Sequence, residues 1–410
     1  MSTATDQPVA VDDITPSRSV SEQARLRWQR IRAGDVGSLP IILGVLVLVV
    51  IFQILNQNFL TPRNFVNLVV QMAGITTIAI GVVFVLLLGE IDLSIGYVSA
   101  VAAVFMTLRL RPPGGWPWPL AVATALAVVC LIGIGQGLII TRFKLPSFVV
   151  TLAGLMVWNG VVLLMIGGGG TVVIQDKTII GLANYFLPKA MGWLVVIGGV
   201  ALFAIGRIQS WRSNRTQGVT TSPLIFMVAT IFVVALAGAA VVYVANQDRG
   251  VPFVGIFLIV LLVGFTFLAE RTRFGRYVYA IGGNAEAARR AGINVSRIRV
   301  YVFMISSLMA GMGGIVLSSR LRSVDTAAGG GDLLLNSIAA AVIGGTSLFG
   351  GSGRVISAFL GALVIATVNN GMGLLGLSAG VKFVITGLVL LTAVLVDAIT
   401  RQGRQQSGLA

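Results

Sequence analysis

The residues of this chain that could bind or react are few and closely grouped. In GEIDLSIG, residues 89–96, Glu90 and Asp92 stand one residue apart, with Ser94 and two glycines beside them, between two long apolar runs. A carboxylate at membrane depth is expensive, so it faces a bundle interior or water. Such a stretch reads as a helix break whose freed backbone groups must meet a cavity or other protein. Carboxylates and hydroxyls pair readily with the hydroxyls of a polyhydroxylated solute, so Glu90, Asp92 and Ser94 are candidates to line a passage for one. The competing reading is a tight interfacial turn whose acids see water. A second stretch, 336–373, sets Thr346, Ser347 and Ser352 among glycines and again suggests a broken or re-entrant helix. Asn369 and Asn370, near the end of its next apolar run, are placed to bond solute or a neighbouring helix. There is no histidine, and the single Cys130 lies in an apolar run, so neither histidine chemistry nor an intrachain disulfide or zinc site is available. No catalytic, metal-binding or cofactor-binding residue is expected.

The remaining charge concentrates in residues 270–300, where seven arginines face two carboxylates, Glu270 and Glu286. Apolar sequence on both sides predicts a loop pinned at the bilayer surface. Within it the spacing predicts one short helix over 285–291. Asn284 caps its start, Glu286 sits at the positive end, Arg289 and Arg290 near the negative end, and Gly292 follows as a left-handed stop. An isolated helix of about two turns is marginal in water, so a partner outside the chain's own membrane core is expected. The alternative is an ordinary cytoplasmic loop obeying the positive-inside rule.

The elements that must position these groups are membrane spans. The chain has 410 residues, 56% hydrophobic and 10% charged, with a mean hydropathy of +0.95, which excludes a soluble domain of this size. Apolar spans fall near 39–55, 66–88, 93–110, 118–140, 147–166, 191–206, 223–244, 253–269, 300–317, 333–350, 354–372 and 380–398. The expected fold is an all-α polytopic membrane protein with ten to twelve transmembrane helices, some of them broken. The 51 glycines suit close helix packing. A cytoplasmic N terminus and twelve crossings put both ends inside and place 20 of the 29 Lys and Arg there, so the net charge of +15 reads as topology rather than nucleic-acid binding. Residues 1–38 form a cytoplasmic tail in this scheme, with either an interfacial helix around Ser21–Arg32 or an unstructured segment, and 399–410 form a second tail. The outer segment 167–190 suggests a folded loop that meets a partner, gates the pore, or simply connects. No phosphate-binding G-x-x-x-x-G-K-[ST] motif occurs, so energy comes from an ion gradient or from another subunit.

Three ordered motifs, GEIDLSIGYVSAVAAV, GGNAEAARRAGINVSRIRVYVFMISSLMAGMGGIV and LLLNSIAAAVIGGTSLFGGSGRVISAFLGALV, resemble the permeases of bacterial ABC importers for ribose, xylose and related sugars. The resemblance runs from about residue 40 to 398, and added length through 191–244 makes it most similar to the xylose type. It implies a type II-like permease domain over 39–398 in the bacterial inner membrane, working as a homodimer among membrane lipids. A cytoplasmic ATPase carrying ATP and magnesium would dock on it, and an extracytoplasmic sugar-binding protein would deliver cargo. The family's coupling loop maps onto Asn284, Glu286, Ala287, Ala288, Arg289, Ala291, Gly292 and Ile293. Hexoses, nucleosides and branched-chain amino acids remain alternative cargoes, and an ion-driven secondary transporter is the rival class.

Overall fold

The computed structural model describes residues 39–216 and 224–406. The expected N-terminal tail and its Ser21–Arg32 segment lie outside them. The helices begin with α1 (Leu39–Leu55), α2 (Pro62–Leu87), α3 (Ile95–Arg109), α4 (Trp118–Phe143) and α5 (Ser147–Ile166). A strand β1 (Thr171–Val173) and a short α6 (Lys177–Asn184) lead to α7 (Lys189–Thr216), α8 (Leu224–Ala245) and α9 (Phe253–Arg271). Then come α10 (Arg273–Gly283), α11 (Ala285–Arg290), α12 (Val295–Leu321), β2 (Ser323–Asp325), α13 (Leu333–Ile343), α14 (Ile356–Leu374) and α15 (Ala379–Gln406).

Among the described residues, eight helices are long and apolar enough to cross a membrane, and four shorter apolar helices accompany them. The fold is therefore the all-α polytopic class the sequence suggests. Each of the twelve expected spans has its helix, but two differ in a way that matters. The run expected over 333–350 is helical only to Ile343, because GGTSLFGGSG cannot sustain a helix. At 1.5 Å per residue, the 11 residues of α13 reach about 16 Å, roughly half a hydrocarbon core. The charged island is not a loop with one helix in it. It contains the end of α9, all of α10 and α11 and the opening of α12, and the short helix ends at Arg290 rather than at 291. At the other end, α15 carries the chain in helix past residue 398, where a tail was expected to begin.

Two units are distinguishable. The larger, over 37–188 and 245–410, is built on α2 and α12, with α3, α4 and α14 against them. Most of α2 is buried, 83% of its most apolar stretch, so its side chains meet protein rather than lipid. The helices approach through small residues, with Gly314 against the Ser99 backbone, Gly133 against Phe303 and Gly313 against Ile78. Thr61 caps α2 through its hydroxyl, which accepts from Asn64 N, and Pro62 opens the helix where no N–H is needed.

The segment 167–190 is folded. β1 pairs antiparallel with β2, Val172 opposite Val324, and Asp176 caps α6 by accepting from the N–H groups of Thr178 and Ile179. Ser319 of α12 holds α6 in place: its hydroxyl accepts from Ala183 N at 3.0 Å and donates to Ile180 O at 3.1 Å.

The second unit comprises, among the described residues, most of the helical hairpin α7–α8, spanning 189–244. Both helices are long enough to cross a bilayer. Where the chain leaves the larger unit and where it returns, the backbone is clasped. Leu187 N donates to Val251 O at 2.9 Å and Phe253 N to Tyr185 O at 3.0 Å. Arg249 stacks over Phe186, 4.3 Å from the ring centre, and donates to Asn67 of α2.

Candidate functional site

The first break, between α2 and α3, is held from three directions. Asp92 is buried, and its Oδ1 accepts from the Ser94 hydroxyl at 2.7 Å and from Ser94 N at 3.0 Å. Its Oδ2 accepts from the Ser306 hydroxyl of α12 at 3.0 Å. Gln136 of α4 bonds the Ser94 hydroxyl through its amide at 3.0 Å. The backbone freed by the break is met by α5, where Ser147 Oγ accepts from Ile91 N and the Thr151 hydroxyl donates to Ile91 O. Each of these serves one need, because polar groups out of water must be bonded. Asp92 and Ser94 thus tie α4 and α12 to the start of α3, and Ile91 ties in α5. Glu90, two residues earlier, pairs with Arg299 of α12 at 2.9 Å.

The second break, residues 344–355, meets the first. Gly351 N donates to the carbonyl of Leu87, at the end of α2, at 2.9 Å. Gly282, in the last turn of α10, lies against the same carbonyl, and a Cβ there would overlap it. Tyr279 of α10 donates its hydroxyl to Gly353 O at 2.8 Å. Burial, and next the charge of Glu270 beside it, holds that phenol above its usual range and so favours the neutral donor form. Glu270 also pairs with Arg354 at 3.4 Å. Three backbone segments, 87–89, 282–283 and 349–351, therefore touch directly, with glycines at the contacts.

Upon this junction sits α11. Asn284 accepts from Ala287 N at 2.9 Å, Ala288 is buried, and Gly292 takes φ +84° and ends the helix. Asn294 then caps α12 by accepting from Arg297 N. Glu286 pairs with Arg289 and Arg290, yet these side chains stay 56%, 64% and 80% exposed. Of the eight residues expected in this loop element, Ala288 and the half-buried Ile293 face inward, while Asn284, Glu286, Ala287, Arg289, Ala291 and Gly292 are exposed. The six-residue helix thus keeps an uncovered outer face and is anchored from below by two apolar side chains.

The other residues expected to line a passage do not gather in one place. Thr346 is buried in the second break and Ser347 forms its turn, accepting from Phe349 N. Asn369 and Asn370 lie toward the far end of α14. Asn370 makes a reciprocal amide pair with Asn64 at 2.8 and 2.9 Å, which fastens α14 to α2, whereas its neighbour Asn369 faces a cavity. Gln136, Ser147, Thr151, Arg299 and Ser306 were not singled out from the sequence. Gln136, the one amide in the apolar run 118–140, carried the only local signal.

The family model described as branched-chain amino acid transport system / permease component matches residues 64–394. The xylose transport system permease protein of Escherichia coli is 36% identical over 354 residues, covering 84% of this chain and 87% of its own. The corresponding protein of Haemophilus influenzae is 34% identical over 366 residues, 88% of this chain and 96% of its own. The ribose import permease of Bacillus subtilis is 32% identical over 377 residues, 92% and 96% respectively. No solved structure matches the chain.

Proposed function

This chain belongs to the permease-component family of the branched-chain amino acid transport systems, with xylose and ribose permeases among its relatives. From that premise we propose that it is the membrane subunit of an ATP-driven importer of a monosaccharide, xylose or a related pentose. The subunit works as a homodimer in the bacterial inner membrane, with both termini in the cytoplasm. A cytoplasmic ATPase binds ATP and magnesium, and a binding protein on the outer side supplies the sugar. The observation that carries this reading is the exposed, doubly capped α11 seated on the junction of the two helix breaks.

The mechanism follows from that seat. Closure of the paired ATPase domains around ATP presses on α11, which is too short to bend and is anchored by Ala288 and Ile293. Displacement passes to the junction through Gly282 and to the first break through Arg299 and Glu90. Both broken helices then shift together, and the bundle alternates between inward- and outward-open arrangements. ATP and the loaded binding protein drive the exchange only as far as each favours one arrangement over the other. High affinity for sugar resides in the binding protein, and the pore's polar groups replace part of the hydration shell.

Purification of wild-type and Gly292→Val protein from membranes tests the assignment. An ATPase subunit that accompanies wild type and is lost from the variant is the expected result. A wild-type protein that purifies alone and moves sugar into liposomes on a proton or sodium gradient would overturn it. Uptake of leucine or a nucleoside in preference to pentoses by the reconstituted assembly would reassign the cargo and keep the mechanism.

A further inference from the structure

At the opposite end of α12 from α11 lies a cavity of about 460 Å³, within the ~300–1,000 Å³ usual for small-molecule sites. Arg320 is 25 residues beyond Val295, or about 38 Å along the helix, so the cavity opens on the side away from the ATPase-docking surface. Its wall carries Arg320 of α12, Asp332 before α13, Asn336 of α13, Asn369 of α14, and Lys382 and Phe383 of α15. Asn336 is 2% exposed and donates to Asp332 at 2.6 Å, while its own carbonyl oxygen is buried with no partner. Neither Arg320 nor Lys382 is ion-paired among the described residues.

Buried polar groups left unbonded are costly, so this wall calls for an occupant that both donates and accepts. An apolar solute would strand Arg320, Asn336 and Lys382. A simple anion would be drawn by Arg320 and Lys382 but would meet Asp332, and without a hydroxyl it could not donate to the free oxygen of Asn336. A neutral molecule with several hydroxyls satisfies all of them, since each hydroxyl gives one bond and takes two. Phe383 adds an apolar surface for the C–H face of a ring. We propose that this cavity is a low-affinity contact site for a neutral monosaccharide, recognised by Arg320, Asp332, Asn336 and Asn369. The proposal rests on the importer reading above and adds a sugar-selective station within the permease itself.

The test uses the complete importer in proteoliposomes with D-xylose and D-ribose as probes. For Asn336→Leu and Arg320→Gln, sugar moved per ATP hydrolysed should fall about tenfold, as expected for one lost buried bond. A ratio equal to that of wild type in both variants would overturn the proposal. A second measurement decides even where a variant fails to assemble. With Cys130→Ser removing the single native thiol, Asn369→Cys should react with a small charged thiol reagent severalfold more slowly when xylose is present at high concentration. The polyol-free osmolyte betaine should give no protection. An unaltered rate with either sugar would also refute the site. Absence of ATP-dependent uptake by the wild-type complex would instead refute the importer reading, and the thiol protection would still report on the cavity.

Discussion

Asp92 shows how much a single buried carboxylate can organise. It accepts from Ser94 twice and from Ser306 once, so Asp92→Ala removes every acceptor and leaves two hydroxyls to find new partners. The expected cost is about 1–3 kcal/mol, with Asp92→Asn milder because the amide keeps the shape and one acceptor. Melting in detergent checks this: the alanine variant should unfold several degrees below wild type and the asparagine variant between them. An alanine variant that melts with wild type would return Asp92 to a solvent-facing role. The Glu90–Arg299 pair, 13% and 30% exposed, should act as a unit in transport. Glu90→Gln and Arg299→Gln should each lower uptake, and the double variant should lose little beyond the worse single. Additive losses would mean the two residues serve separate purposes. Ser94 stands beside Asp92 in the sequence, but the Ser306 pairing was not legible there, because Ser306 and Asp92 are 214 residues apart and only the packed bundle joins them.

At the scale of elements, α11 was legible and α10 was not. The capping residues Asn284 and Gly292 announce α11 locally, and the structure uses both. By contrast RFGRYVYAIGG has Gly275 in its interior and two glycines at its end; Thr272 caps its start, and the burial of Gly275, Val278 and Ile281 against the bundle supports the rest. Gly282 must lie flush against the Leu87 carbonyl, which no other residue permits. This predicts a contrast within three positions. Gly282→Ala should abolish uptake while the ATPase still co-purifies, because the outer face of α11 is intact. Gly283→Ala, with open space around its Cβ, should behave as wild type. Gly292→Val should lose the ATPase, since a β-branched residue strains the left-handed backbone that closes the helix. Equal behaviour of the Gly282 and Gly283 variants would remove the junction from the coupling route. The apolar spans were legible because a bilayer demands long unbroken runs. The stop of α13 at Ile343 was less so, since the apolar residues of SLF carry the run on through a turn-forming stretch.

For the molecule as a whole, the two breaks meet at one end of the bundle and the polar cavity lies at the other, with α12 running between them. Asn369 was a candidate from its place near the end of an apolar run, with no sign of the cavity it faces. Arg320 and Asn336 were not, because nothing in their own neighbourhoods distinguishes them from ordinary helix-end residues. The clasp at Leu187–Val251 has a consequence of a different kind. The chain enters and leaves the α7–α8 hairpin at adjacent points, and both of its helices are long and apolar enough to cross, an even number. Joining Pro188 to Gly250 through a short turn should leave every downstream helix facing the same way, detectable with a reporter fused after α15. A reversed reporter would mean that only one of the pair crosses. With the orientation kept, the hairpin is a removable cassette, one that a lineage can gain or shed while the exposed face of α11 keeps its side of the membrane.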